Sequence, residues 1–151
     1  MDSPILLLEN TDQATKQMLD NVRKRKVKFD EAKRWHTTLI WATLLTTFIY
    51  FIYLYLSIAK PYGYSFAAMF SAFVDDSRNL YFMVLTIGLY GLMNVFKQKS
   101  DKKEKEFHEL RCEIVDRSKD LWKKEEEWKN RHIVFEMMKQ NYDINLYHEK
   151  K

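Results

Sequence analysis

From Trp35 to Ala59 the chain runs WHTTLIWATLLTTFIYFIYLYLSIA, 25 residues without a single Asp, Glu, Lys or Arg. A helix rises about 1.5 Å per residue, so about 20 apolar residues cross a hydrocarbon core of about 30 Å, and this run is long enough to span a bilayer. A second charge-free run, NLYFMVLTIGLYGLMNVF from Asn79 to Phe96, has 18 residues and sits at the lower end of the spanning range. The expected fold is all-α. A two-span transmembrane hairpin at 35–96, with an outer interfacial loop at 60–78, separates an amino-terminal helix within 1–34 from a long charged helical tail at 97–151. The two flanking helices are expected to pair antiparallel.

Charge sets the expected orientation. Residues 1–34 carry 8 Lys+Arg against 6 Asp+Glu, residues 60–78 carry 2 against 2, and residues 97–151 carry 15 against 13. Loops rich in Lys and Arg stay on the cytoplasmic side, which predicts a multi-pass plasma-membrane protein with both termini inside. Arg23, Lys24, Arg25, Lys26 and Lys28 precede the first span and are expected at the membrane interface, in reach of anionic lipid. The nearly neutral tail suits a solvated helix and gives no nucleic-acid tract. The lone Cys112 has no intrachain disulfide partner and, by this topology, lies in a reducing compartment. The apolar segment of residues 4–8 is too short, and lacks the basic flank, for a cleaved signal peptide.

Local signals place the elements. Ser3 and Pro4 suit the start of a short helix over residues 5–8, and Asn10 with Gln13 has capping-box spacing for a helix beginning near Thr11. Met18, Val22 and Phe29 give that helix a thin apolar stripe suited to one partner helix. Trp35, Tyr53 and Tyr55, among the aromatics of the first span, read as interface anchors. Lys60-Pro61-Tyr62-Gly63 is expected to end the helix. Phe66, Met69, Phe70 and Phe73 then recur at helical spacing in a segment too short to span. Asp75, Asp76 and Ser77 offer caps for the second span, while Gly88 and Gly91 would allow close approach of the first.

Between Phe96 and the last residue there is no Gly or Pro, which predicts a helix continuous with the second span to about Lys139. Phe107, Ile114, Leu121, Trp128, Phe135 and Tyr142 recur every seven residues, the period of a coiled-coil-like seam. The companion positions Leu110, Arg117, Lys124, Arg131, Met138 and Asn145 are apolar only near the ends. One stripe per partner suits pairing with the amino-terminal helix better than a regular dimer. That helix covers only about 36 Å of a tail of about 68 Å. The distal tail must therefore fold back, meet a second copy or bind another protein. Trp122, Trp128, Phe135, Met138 and Tyr142 are the candidate partner-binding residues.

Chemistry is sparse. Glu104, His108 and Cys112 share a helix face, but a zinc site needs further ligands from another element, so a solvated charged face is expected and no metal or cofactor. There is no phosphate loop, Cys pair, HExxH or nucleophile elbow. Neither span carries an ionisable group except His36 at its rim, which argues against ion transport by this chain alone.

The opening LLENTDQATKQML, the stretch KFDEAKRWH, the aromatic span ending YLYLSIAKPYG and the charged helical tail together resemble the YpbF-like family of small two-pass membrane proteins from Bacillus-type bacteria. That resemblance implies a bacterial plasma membrane and brings no assigned activity or site residues. The expected function is non-enzymatic: a membrane-anchored interaction or scaffold protein whose cytoplasmic helices dock a protein partner or a second copy. The alternative is a small pore-forming, holin-like or transport-accessory subunit lined by Thr43, Thr47 and Asn94.

Overall fold

The computed structural model describes Pro4, Ile5, Leu8 and residues 11–147. The expected cap at Ser3 and the Asn10 half of the capping box lie outside the described residues. Helix α1 (Gln13–Leu54) runs unbroken because Gly and Pro are both absent from it. Next comes Pro61, which lacks an N–H and whose ring strikes the carbonyl four residues back in a regular helix. A π-helical turn, Tyr55–Ala59, precedes it, and the Lys60 amide donates to the Tyr55 carbonyl five residues back. The widened turn carries the chain into a single further turn, α2 (Lys60–Tyr62). The helix therefore passes through Pro61 and stops at Gly63, within the segment expected to end it. At Gly63 a Cβ would lie 2.7 Å from the Ala59 carbonyl oxygen, so space and not backbone angle requires the glycine.

Helix α3 (Phe66–Asp75) comes after it, then α4 (Ser77–Asp116). The tail departs from the expected straight rod. It breaks at Arg117, makes one turn as α5 (Ser118–Leu121), is non-helical over Trp122–Lys124, and resumes as α6 (Glu125–Tyr142). No glycine or proline marks that break. Burial supplies the reason, since an uncovered stripe of large side chains gains about 1.5–3 kcal/mol for each one removed from water, against the few backbone hydrogen bonds lost at a turn. Glu125, Glu126 and Glu127 in the first turn of α6 favour a helix start there. At its other end Asp143 takes the left-handed conformation, which an acidic residue tolerates, and its amide closes on Lys139. Among the described residues there is no strand.

The chain forms two compact units, Met1–Ala32 with Ser100–Lys151, and Lys33–Lys99. In the first, Phe29 stacks on Phe107 with centroids 6.2 Å apart, Arg25 donates to the Glu106 carbonyl at 2.9 Å, and Thr15 donates to the Leu121 carbonyl at 3.2 Å. Rising numbers in α1 meet falling numbers in α4 and α5, so these segments run antiparallel. The third helix, α6, returns beside them and brings Tyr142 under Arg23 at 5.7 Å. Leu19, Val22, Ile114, Trp122, Val134, Phe135 and Met138 close the core, capped by Ile5, Ile144 and Leu146. Trp122 meets Phe135 edge-on at 5.4 Å.

In the second unit the contacts again run in opposite order. Trp35 lies against Phe96 at 6.3 Å, Tyr50 stacks on Phe82 at 5.4 Å, and Tyr53 meets Asp76 beyond it. The two apolar helix segments are thus antiparallel neighbours. Gly88 and Gly91 take no part in that approach, contrary to expectation, because a Cβ on either would meet nothing within 4 Å. Aromatic rings line the contact instead.

This packing sets two outcomes. Trp122→Ala and Phe135→Ala each lower the stability of the first unit by about 3–5 kcal/mol, whereas Ile133→Ala, at an exposed site, changes it by at most about 0.5 kcal/mol; pulse proteolysis of the full chain in vesicles reads the difference. Gly63→Ala lowers the thermal midpoint because a backbone carbonyl must move, while Gly88→Ala leaves it unchanged or raises it, by a stability gain of up to about 1 kcal/mol from helix propensity.

Candidate functional site

Two surfaces stand out, one on each unit. In Lys33–Lys99 the apolar residues face outward: Trp41, Phe48, Phe51 and Tyr55 in the first run and Leu80, Val84, Ile87 and Val95 in the second are all exposed. Only 6% of each apolar window is buried inside the protein. A helix apolar all round needs an apolar surrounding, and the partner helix covers a small part of it. Trp35 and Tyr55 are exposed. Tyr53 is half-buried, its hydroxyl donating to Asp76 and its ring packed on Phe82 at 5.5 Å.

That tyrosine belongs to a polar cluster at the α3–α4 turn. Asp76 is the cap of α4, as its place before Ser77 suggests: its Oδ1 accepts from the Arg78 amide at 3.1 Å and from Arg78 Nε at 3.0 Å. The Arg78 guanidinium also lies 5.5 Å from the centre of the Tyr53 ring. Arg78, and after it the Tyr53 hydroxyl, hold the Asp76 carboxyl down at about 2. Behind the cap the buried Asn79 donates Nδ2 to the Phe73 carbonyl at 2.8 Å, closing the last turn of α3.

Hydroxyls within the two apolar runs bond to their own helix. Thr43 donates to the Leu39 carbonyl at 2.7 Å and Thr86 to the Phe82 carbonyl at 2.8 Å. Between the end of α1, the π-helical turn and α3 lies an apolar groove of about 450 Å³.

The charged unit, Met1–Ala32 with Ser100–Lys151, divides its expected site residues. Trp122, Phe135 and Met138 are buried in its core, and Trp128 and Tyr142 are half-buried. The premise that these five stand uncovered fails, because the tail folds back and covers them with its own helices. Arg131 lies 3.4 Å over the Trp128 ring, screening the remaining face. Among the described residues of this unit the exposed large apolar ones are Val27, Ile133 and Tyr147. No periodicity marks them, since they lie off the seven-residue stripe.

The basic cluster divides too. Arg23 pairs with Asp20 at 2.8 Å and lies over Tyr142, while Lys26 bridges Asp30 at 3.2 Å and Asp143 at 3.4 Å beside Phe29 and Phe107. Both are fastened within the unit. Lys24 is exposed but paired with Asp20 at 2.8 Å, and that contact, with Arg23, holds the Asp20 carboxyl below its ordinary value. Arg25 and Lys28 keep exposed heads. Glu106 is lowered as well, by Lys103 at 2.8 Å.

Asp12, Asp120 and Glu127, with Lys123 and Lys124, border a polar cleft of about 370 Å³, where Lys124 pairs with Glu127 at 3.4 Å. His108 lies 3.7 Å from Glu104. Among the described residues no group of three or more His, Cys, Asp or Glu is placed to hold a metal ion.

This is an all-helical protein with two helices long and apolar enough to cross a membrane. The chain belongs to the family described as protein of unknown function (DUF2663), whose model matches residues 18–149. It is 37% identical over 145 residues to "Uncharacterized protein YpbF" of Bacillus subtilis (strain 168), spanning 93% of this chain and 92% of that protein. The family that its sequence phrases resemble is therefore its family. No solved structure matches.

The lowered Asp76 carboxyl carries a pH signature. Its folded value lies below the ordinary 3.8, so its stabilisation is complete above that pH and is lost as pH falls toward about 2. The thermal midpoint of the wild type should exceed that of Asp76→Asn at neutral pH, and the gap should close only below the ordinary carboxylate range. A gap already closed at pH 5 would remove the Arg78 and Tyr53 contacts as its cause.

Proposed function

We propose that this protein is a non-enzymatic, membrane-anchored interaction protein. The hairpin of residues 35–96 sits in a bacterial plasma membrane, both termini face the cytoplasm, and the helical unit built from the two chain ends docks a protein partner or a second copy. One observation carries the reading: the chain separates a unit whose two long helices turn apolar side chains outward from a charged unit that closes its own core. The first demands an apolar solvent, and the second is complete without one.

Docking then uses the outer face of α6 and the short segment after it, centred on Ile133, with Tyr147 bonded to the His132 carbonyl at 3.2 Å. A well-packed unit presents a preformed surface and avoids ordering costs on binding.

Topology and docking are tested together in a Cys112→Ser background. Tyr64→Cys should react with an impermeant maleimide in intact cells, and Lys129→Cys only after permeabilisation; the reverse pattern defeats the orientation. Ile133→Asp should remove proximity-labelled neighbours of the α6 face without changing protease resistance. An unchanged neighbour set would end the docking reading.

A further inference from the structure

We propose that the groove between α1, the π-helical turn and α3 binds the acyl chain of an anionic phospholipid, with the lipid phosphate on Lys60. The inference rests on the bilayer reading above and deepens it with a specific ligand. The groove holds about 450 Å³, within the span of about 300–1,000 Å³ typical of small-molecule sites. Phe51, Leu54 and Ile58 form one wall and Phe66, Met69 and Phe73 the other. The lining offers almost no hydrogen-bonding group, so the part of the ligand inside it is plain hydrocarbon.

A further observation selects the occupant. The wall formed by Tyr55 to Ala59 is the π-helical turn that accommodates Pro61. Immediately after it stands Lys60, whose side chain is exposed and without a hydrogen bond or ion pair among the described residues. The other charged side chains of this end are engaged: Asp76 with Arg78, and Asp75 as acceptor from Ser71 at 3.1 Å. A lone cation beside an apolar groove complements a molecule with a hydrocarbon tail and a negative head. A phospholipid with an anionic headgroup has that form, a phosphate at one end and plain hydrocarbon at the other.

The test uses the full chain in phosphatidylcholine vesicles containing a trace of phosphatidylglycerol with a diazirine near the end of one acyl chain, with crosslinks mapped by peptide mass spectrometry. Crosslinks to residues 51–73 should exceed those on Val84, Ile87 and Val95 by about tenfold. Unlabelled phosphatidylglycerol should compete and phosphatidylcholine should not. Lys60→Gln should weaken that competition by about fivefold, the effect of one cation near the headgroups. Met69→Trp, which fills the groove, should remove the excess and leave labelling of the other faces unchanged. Uniform labelling along both spans overturns the site but leaves the protein in its bilayer, and equal competition by both lipids overturns the anionic assignment. Absence of labelling on either apolar helix overturns the bilayer reading, and the site falls with it.

Discussion

The stack of Phe29 on Phe107 holds together segments that are far apart in sequence, and the first unit depends on it. The rings lie nearly parallel with centroids 6.2 Å apart, and the Lys26 ammonium sits 5.7 Å from both. Around this contact α1 and α4 align, with Leu19, Val22 and Ile114 buried along them. Two helices alone cannot enclose side chains of this size. The third side is filled by α6, whose Phe135 and Met138 complete an interior that an antiparallel pair would have left open.

The seven-residue repeat survives the break in the tail. Phe107 and Ile114 before it, and Phe135 after it, are buried, and Leu121, Trp128 and Tyr142 are partly so. Such a repeat specifies which face turns inward but says nothing about straightness, and that is why the fold-back stands among three outcomes of equal footing in the sequence. A signal for it exists at Glu125-Glu126-Glu127, where three acidic residues begin a helix and complement the positive end of its dipole. Absence of Gly and Pro hides the boundary. Cheap turns need those residues, but a buried Trp122 outweighs a costly one.

Elements with local causes are legible in the sequence and those with tertiary causes are not. The charge-free runs, the helical spacing of Phe66 to Phe73 and the cap at Asp76 follow from neighbours in sequence, and the structure contains each of them. Tyr53 reads as an interface residue from its type and place. Its hydroxyl also has a partner 23 residues away, which no local pattern encodes. Gly88 and Gly91 mislead for a related reason: a helix span reveals small residues, but the angle at which its neighbour packs decides which face they occupy.

Pairing within the charged unit changes which side chains can act on a membrane surface. Arg23 and Lys26 spend their charge on Asp20, Asp30 and Asp143 and on aromatic faces, so the densest basic run in the sequence is partly neutralised where it stands. The cations that keep exposed heads without a paired acid among the described residues include Lys28, Arg34 and Lys97, which flank the two apolar runs in the chain. Charges within a Debye length of about 8 Å of a headgroup layer count, and those farther away are screened. In the proposed bilayer setting, the bias that orients the hairpin therefore belongs to these flanking residues, and the run at 23–26 serves the fold of the unit in which it lies.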